Sequence, residues 1–169
     1  MATQPAAVPP AILPEVGQRL PPFELPALDG QTYRYNQFRH RSNLALVFLP
    51  ERPGPDDEAY LRALAQAAPE LEVTDSRLLV VTMLPADEAA ALKQRVGLKA
   101  PVLLDPGREA YCQYGLLSPS GPCAGVFIAD RYLLLIARAV GSSLPETMSV
   151  GEIVDWLRYV DFQCPECGT

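Results

Sequence analysis

Cys164-Pro165-Glu166-Cys167-Gly168 is the group of residues whose types and spacing most directly support chemistry. Two intervening residues let the sulfurs close a disulfide, or let one turn aim both at a single metal ion. Three readings stand side by side: a redox dithiol, a metal knuckle and an inert tail. The redox reading works against local electrostatics. The motif follows the last helix predicted in the chain, and a helix C-terminus disfavours a thiolate, as does Glu166 between the sulfurs. The metal reading puts zinc or iron on Cys164 and Cys167, and a four-thiolate site needs two more ligands. The same motif on a second copy of the chain would supply them and make a homodimer. Cys112 and Cys123 are the weaker source.

The other reactive side chains are sparser. Cys-Pro-x-Cys-Gly resembles half of a zinc-ribbon or rubredoxin site, but the chain has no second Cys-x-x-Cys. Cys112 lies in the middle of a helical stretch, Ala110–Tyr114, and free cysteine is among the most buried residue types, so core packing is expected there. His40 is the only histidine, in the polar turn Arg39-His40-Arg41, and reads as surface. Asp56, Asp57 and Glu58 suit a helix N-terminus and its partial positive charge. As an acid–base site they lack a partner histidine or metal-ligand spacing. No Ser–His–Asp arrangement and no phosphate-cradling loop appears.

Composition narrows the partners. The 169 residues fit one domain, and 49% of them are hydrophobic, enough to fill a core. A net charge of −6 and a pI near 4.8 argue against nucleic acid, because no basic stripe is there to neutralise phosphates. Residues 1–14, with Pro5, Pro9, Pro10 and Pro14, read as a disordered leader rather than an export signal, which needs an unbroken apolar stretch of ~7–15 residues. No run approaches the ~20 apolar residues of a membrane span. A cytoplasmic location is therefore expected, with cysteines that are free thiols, metal ligands or redox groups.

These residues must be carried by regular elements. Phe23-Glu24-Leu25 reads as a short edge strand, and Asp29-Gly30 as the turn of a hairpin into Thr32–Tyr35. Leu44–Leu49 is continuously apolar and closed by Pro50, the pattern of a strand covered on both faces. A helix after Pro55 carries Tyr60, Leu61, Leu64 and Ala68 on one face. Leu78–Leu84 is a second buried strand, and Asp87 can cap a helix that Gly97 ends. Val102–Leu104, a helix near Glu109–Tyr114 and strands at Gly125–Ile128 and Tyr132–Ala139 follow. Ser149 and Glu152 form a capping box for a last helix with Ile153, Val154, Leu157 and Val160 on one face. Strands alternating with helices imply parallel pairing, and the late hairpin adds antiparallel strands at one edge.

Six signatures now fall into register: Val16-Gly17-x-x-Leu20-Pro21-x-Phe23-x-Leu25, Leu28-Asp29-Gly30, Val47-Phe48-Leu49-Pro50, Asp105-Pro106, Tyr114-Gly115 and Gly125-Val126-Phe127-Ile128-x-Asp130. Together they resemble the alkyl hydroperoxide reductase/thiol-specific antioxidant group, the peroxiredoxins. The resemblance implies an α/β, thioredoxin-like three-layer sandwich over residues 15–162, with a central mixed sheet, helices on both faces and an N-terminal β-hairpin extension. Residues 163–169 form the Cys-Pro-Glu-Cys tail. In the family, the proline after the first core strand opens Pro-x-x-x-Thr/Ser-x-x-Cys, whose cysteine attacks peroxide. Counting from Pro50 puts Gly54 at the Thr/Ser position and Asp57 at the cysteine, and Ala124 stands where the family has an arginine. The resemblance then implies a thiol–disulfide redox protein with a degenerate peroxidatic site. It would work through Cys164 and Cys167 with a thiol-redox protein partner. Cys123, in a loop expected to face the start of the helix after Pro50, would assist. The alternative is a non-catalytic domain that uses the tail as a metal knuckle for dimerisation or partner binding.

Overall fold

The apolar run after Ser42 forms the middle strand of a five-stranded sheet. In the computed structural model, which describes residues 12–163, β3 (Asn43–Phe48) is buried at every position. Two strands precede it, β1 (Glu24–Pro26) and β2 (Thr32–Arg34), paired antiparallel across the Asp29-Gly30 turn. After β3 come α1 (Pro55–Gln66), α2 (Ala68–Val73), β4 (Ser76–Thr82) and α3 (Ala86–Val96). Next are β5 (Val102–Leu104), α4 (Glu109–Gln113), and the two-residue strands β6 (Leu117–Ser118) and β7 (Gly121–Pro122). The chain continues with β8 (Ala124–Ala129), β9 (Leu135–Gly141) and α5 (Val150–Phe162).

The sheet order is β5-β4-β3-β8-β9. β3 pairs parallel with β4 from Asn43↔Ser76 to Phe48↔Val81, and β4 pairs parallel with β5. β8 pairs antiparallel with both β3 and β9. This is the mixed sheet expected from the alternation of strands and helices.

The period of two along β3 divides the core. Ala45 and Val47 pack with α1, α3 and α5, through Leu61, Leu64, Leu92, Ile153 and Leu157. Leu44, Leu46 and Phe48 pack on the other face with the N-terminal hairpin and α4. There Phe48 sits 5.1 Å from the Tyr111 ring, 4.9 Å from Tyr114 and 5.6 Å from Phe127. Each such aromatic pair adds roughly 0.5–1.5 kcal/mol beyond its area burial.

Several expected boundaries move, each for a local reason. α1 stops at Gln66, and Ala68 opens the separate α2, which carries Pro69 in its first turn. β4 ends at Thr82, whose Oγ1 accepts the Leu84 N–H at 3.1 Å and so turns the chain out of the sheet. Asp87 is not the cap of α3. Pro85 holds that position and Asp87 lies within the first turn, while Gly97 ends the helix at φ 72° as expected. β9 begins at Leu135 rather than Tyr132, because Asp130 Oδ1 accepts the N–H groups of Tyr132 and Leu134 and folds that segment into a turn. Ser149 caps α5 by accepting the Glu152 N–H at 3.1 Å.

The last residues of the expected leader, Ile12–Pro14, lie on the body. The Arg138 guanidinium donates to the Pro14 carbonyl, and a Cβ on Gly115 would come within 2.7 Å of the Ile12 backbone. Residues 1–11 and 164–169 lie outside the described residues. No described helix is long and apolar enough to cross a membrane.

Candidate functional site

The chain leaves β3 through Leu49 and Pro50 at the carboxyl ends of the parallel strands. Leu49 N–H donates to Val81 O at 2.9 Å. Tyr111, fully buried on α4, donates its hydroxyl to Leu49 O at 2.5 Å and lies 3.1 Å from Val81 O. One phenol thus ties the ends of β3 and β4 where the loop begins, and burial raises its pKa well above the ordinary value. Sequence reasoning missed this role. An aromatic in a helical stretch gives no sign of which carbonyls it will meet.

Asp57 lies in the first turn of α1 and is 5% exposed. Its Oδ2 accepts the Gly54 N–H at 2.8 Å, closing the helix start. Its Oδ1 accepts the Leu144 N–H, also at 2.8 Å, from the 3-10 turn Leu144–Glu146. Both carboxylate oxygens are therefore engaged by backbone donors. Hydrogen bonds to a charged group contribute about 1.5–3 kcal/mol each, more than neutral ones. Beneath it, Tyr60 donates to Met148 O at 2.5 Å, and burial pushes its phenol up to about 12. Asp57 acts here as a clasp between α1 and the segment before α5.

The neighbouring carboxylates do not join it. Asp56 is exposed, and Glu58 turns to Arg95, whose Nε donates to it at 2.9 Å. That guanidinium holds the Glu58 carboxyl below its usual range. An acid–base trio is not assembled.

Ala124 is buried at the start of β8, opposite Gly141 of β9. A Cβ on Gly141 would meet Glu146 at 2.7 Å, so this strand pair abuts the 3-10 turn that Asp57 holds. Ala124 packs with the α1 face of the core, whereas Cys123 packs with the α4 face. Successive residues entering a strand point to opposite sides, so the expectation that Cys123 faces the start of α1 is corrected. Its thiol is half-buried, with Sγ 3.9 Å from Gly121 O.

Cys112 is exposed, against the expectation of core packing. α4 spans five residues and turns Ala110 and Tyr111 inward, which leaves Cys112 on the outer side. Cys164 and Cys167 lie outside the described residues, and α5 ends just before them, at Phe162. Among the described residues, no group of three or more His, Cys, Asp and Glu side chains is arranged to hold a metal.

Asp105 is the one other buried carboxylate of note. It accepts the N–H groups of Glu109 and Tyr111, each at 3.1 Å, and so fixes α4 and the Tyr111 anchor. Burial raises its pKa against the opposing effect of those donors.

The AhpC/TSA family model matches residues 16–138. Among solved structures, the chain is similar to Mycobacterium tuberculosis AhpC, with a TM-score of 0.78 and 18% identity over 94% of this chain and 100% of that one. It is similar to the mitochondrial 2-Cys peroxiredoxin from Plasmodium falciparum, at a TM-score of 0.74 and 16% identity over 86% and 94% of the two chains. The thiol peroxidase from Chromobacterium violaceum gives a TM-score of 0.69 and 20% identity over 88% and 89%. A comparison with curated protein sequences gave no match. At these identities the structural likeness is one of fold. Taken with the family model and the mixed sheet flanked by helices, it makes this chain a peroxiredoxin-like, thioredoxin-fold member of the AhpC/TSA family.

Proposed function

We propose that the chain is a thiol–disulfide redox protein of its family that does not reduce peroxide at position 57 and works through Cys164 and Cys167. The observation that carries this reading is the double engagement of Asp57. The seventh residue after Pro50 is a carboxylate held by two backbone N–H groups, and a carboxylate cannot form a sulfenic acid. Gly54 offers no hydroxyl and Ala124 no positive charge. Thiol chemistry must then come from elsewhere in the chain. One thiolate of the tail pair attacks the disulfide of a partner redox protein, and the other displaces the partner. The pair gives up two electrons and two protons and closes as Cys164–Cys167. Cys123, which packs with the α4 face, has no part in this exchange.

The end of α5 at Phe162 favours a second reading. The carbonyl end of that helix opposes a free thiolate at the tail, whereas a bound cation would stabilise it. In this reading Cys164 and Cys167 hold zinc or iron together with the same pair from a second chain.

Metal content, measured together with mass in solution for wild type and Cys164→Ser, separates the two. A metal-free protein that closes a reversible Cys164–Cys167 disulfide supports the redox reading. About one metal per two chains, lost with the dimer in Cys164→Ser, would replace it with the knuckle.

A further inference from the structure

The parallel strands β3, β4 and β5 bring their carboxyl ends to one edge of the sheet, and α1, α3 and α4 start from that edge. Crevices at such edges are where ligands bind in open α/β sheets, and helix N-termini add positive potential there. A cleft of about 720 Å³ lies at this edge. Met83, Leu84 and Leu92 give it apolar lining, and Arg52, Arg95 and Arg108 bring three guanidinium groups to it. Asp57 does not line it, and neither do Cys112 and Cys123.

Two of the three arginines are held in place. Arg95 is bound by Glu58, and Arg108 donates to Glu51 at 2.8 Å. Arg108 sits at φ 60°, a left-handed conformation that is strained for a non-glycine residue. Arg52 is exposed and makes no ion pair among the described residues. The lining carboxylates are Glu51, committed to Arg108, and Glu88 on the first turn of α3. With the Arg95–Glu58 and Arg108–Glu51 pairs cancelled, the lining charges left without an ion-pair partner among the described residues are the Arg52 guanidinium and the Glu88 carboxylate.

We propose that this cleft binds a small organic anion, with a carboxylate or phosphate head on Arg52 beside Arg108 and an apolar body on Met83, Leu84 and Leu92. The proposal does not rest on the thiol chemistry and stands whether or not the tail is a redox pair. Guanidinium groups recognise both head groups through paired N–H donors. An apolar floor beneath them selects against bare inorganic ions.

The test is titration of the full chain with benzoate, phenyl phosphate and neutral phenol, followed by backbone amide NMR. Benzoate or phenyl phosphate should give saturable shifts at Arg52, Leu84 and Arg108, and phenol should not. The stronger of the two identifies the head group. Arg52→Gln should weaken binding about tenfold, roughly 1.4 kcal/mol, with an unchanged melting temperature. Glu88→Gln should tighten it, by removing the one carboxylate of the lining that has no ion-pair partner among the described residues. Raising ionic strength should weaken it. Absence of saturation up to on the order of 10 mM ligand, a range that covers millimolar affinity, would overturn the proposal. So would binding that survives Arg52→Gln intact. Weaker binding in Glu88→Gln would also overturn it, since that outcome means a cationic ligand group.

Discussion

At the scale of single residues, the side chain whose contacts carry the proposed function is Asp57. It satisfies two backbone donors 90 residues apart in the chain, Gly54 and Leu144. Asp57→Ala leaves both unmet in a buried place and should cost about 2–4 kcal/mol, read as a shift of the urea midpoint. Asp57→Cys should lose similar stability and gain no peroxidase activity, because Ala124 brings no charge to stabilise the thiolate. Tyr60 provides a pH-dependent companion. Its pKa, about 12 in the fold, is above the ordinary 10, so the folded state holds the phenol proton more tightly than the unfolded chain. Stability from this group is complete below about pH 10 and is lost as pH rises through about 12. Tyr60→Phe should flatten that alkaline loss and cost about 1 kcal/mol at neutral pH for the hydrogen bond to Met148 O. The acidic start of α1 was legible from Asp56, Asp57 and Glu58. The partner at Leu144 was not, because nothing in a local pattern points to a loop so distant in sequence. Cys112 shows the same limit in reverse. A five-residue helix has too few turns for its period to say which side faces in.

At the scale of elements, hydrophobic patterning carried most of the information. The unbroken run of β3 and the caps Gly97 and Ser149 were readable, since each rests on neighbours in the chain. Tyr132–Leu134 was misread as strand because its apolar residues fit the pattern, while a side-chain carboxylate at Asp130 had already bent the backbone. α4 is short but anchors the β3 and β4 ends through Tyr111, and Gly115 ends it at φ 71°. Gly115→Ala forces a strained φ and brings a Cβ within 2.7 Å of the Ile12 backbone. It should destabilise by about 1–3 kcal/mol, and the same substitution in a chain shortened to begin at Pro14 should cost less, since the Leu13 N also lies within 2.7 Å of that Cβ. Phe48→Ala, which empties the centre of the aromatic cluster, should cost about 3–5 kcal/mol by thermal or urea unfolding.

At the scale of the whole molecule, the fold of the AhpC/TSA family is kept while Asp57, the seventh residue after Pro50, serves as a clasp. A scaffold can be retained while its chemistry moves, since function resides in sites rather than in folds. In the proposed reading the thiol pair acts in the tail that follows α5 in sequence. The most direct measurement treats the reduced wild type and the Cys164→Ser/Cys167→Ser variant with limiting hydrogen peroxide, maps every thiol by mass spectrometry and follows peroxide loss. Each disulfide formed uses one peroxide and releases two waters. The expected result is slow oxidation of wild type confined to a Cys164–Cys167 disulfide, and a double variant whose Cys112 and Cys123 stay reduced. Rapid peroxide consumption by the double variant, or a wild-type disulfide that leaves Cys164 and Cys167 free, would contradict it.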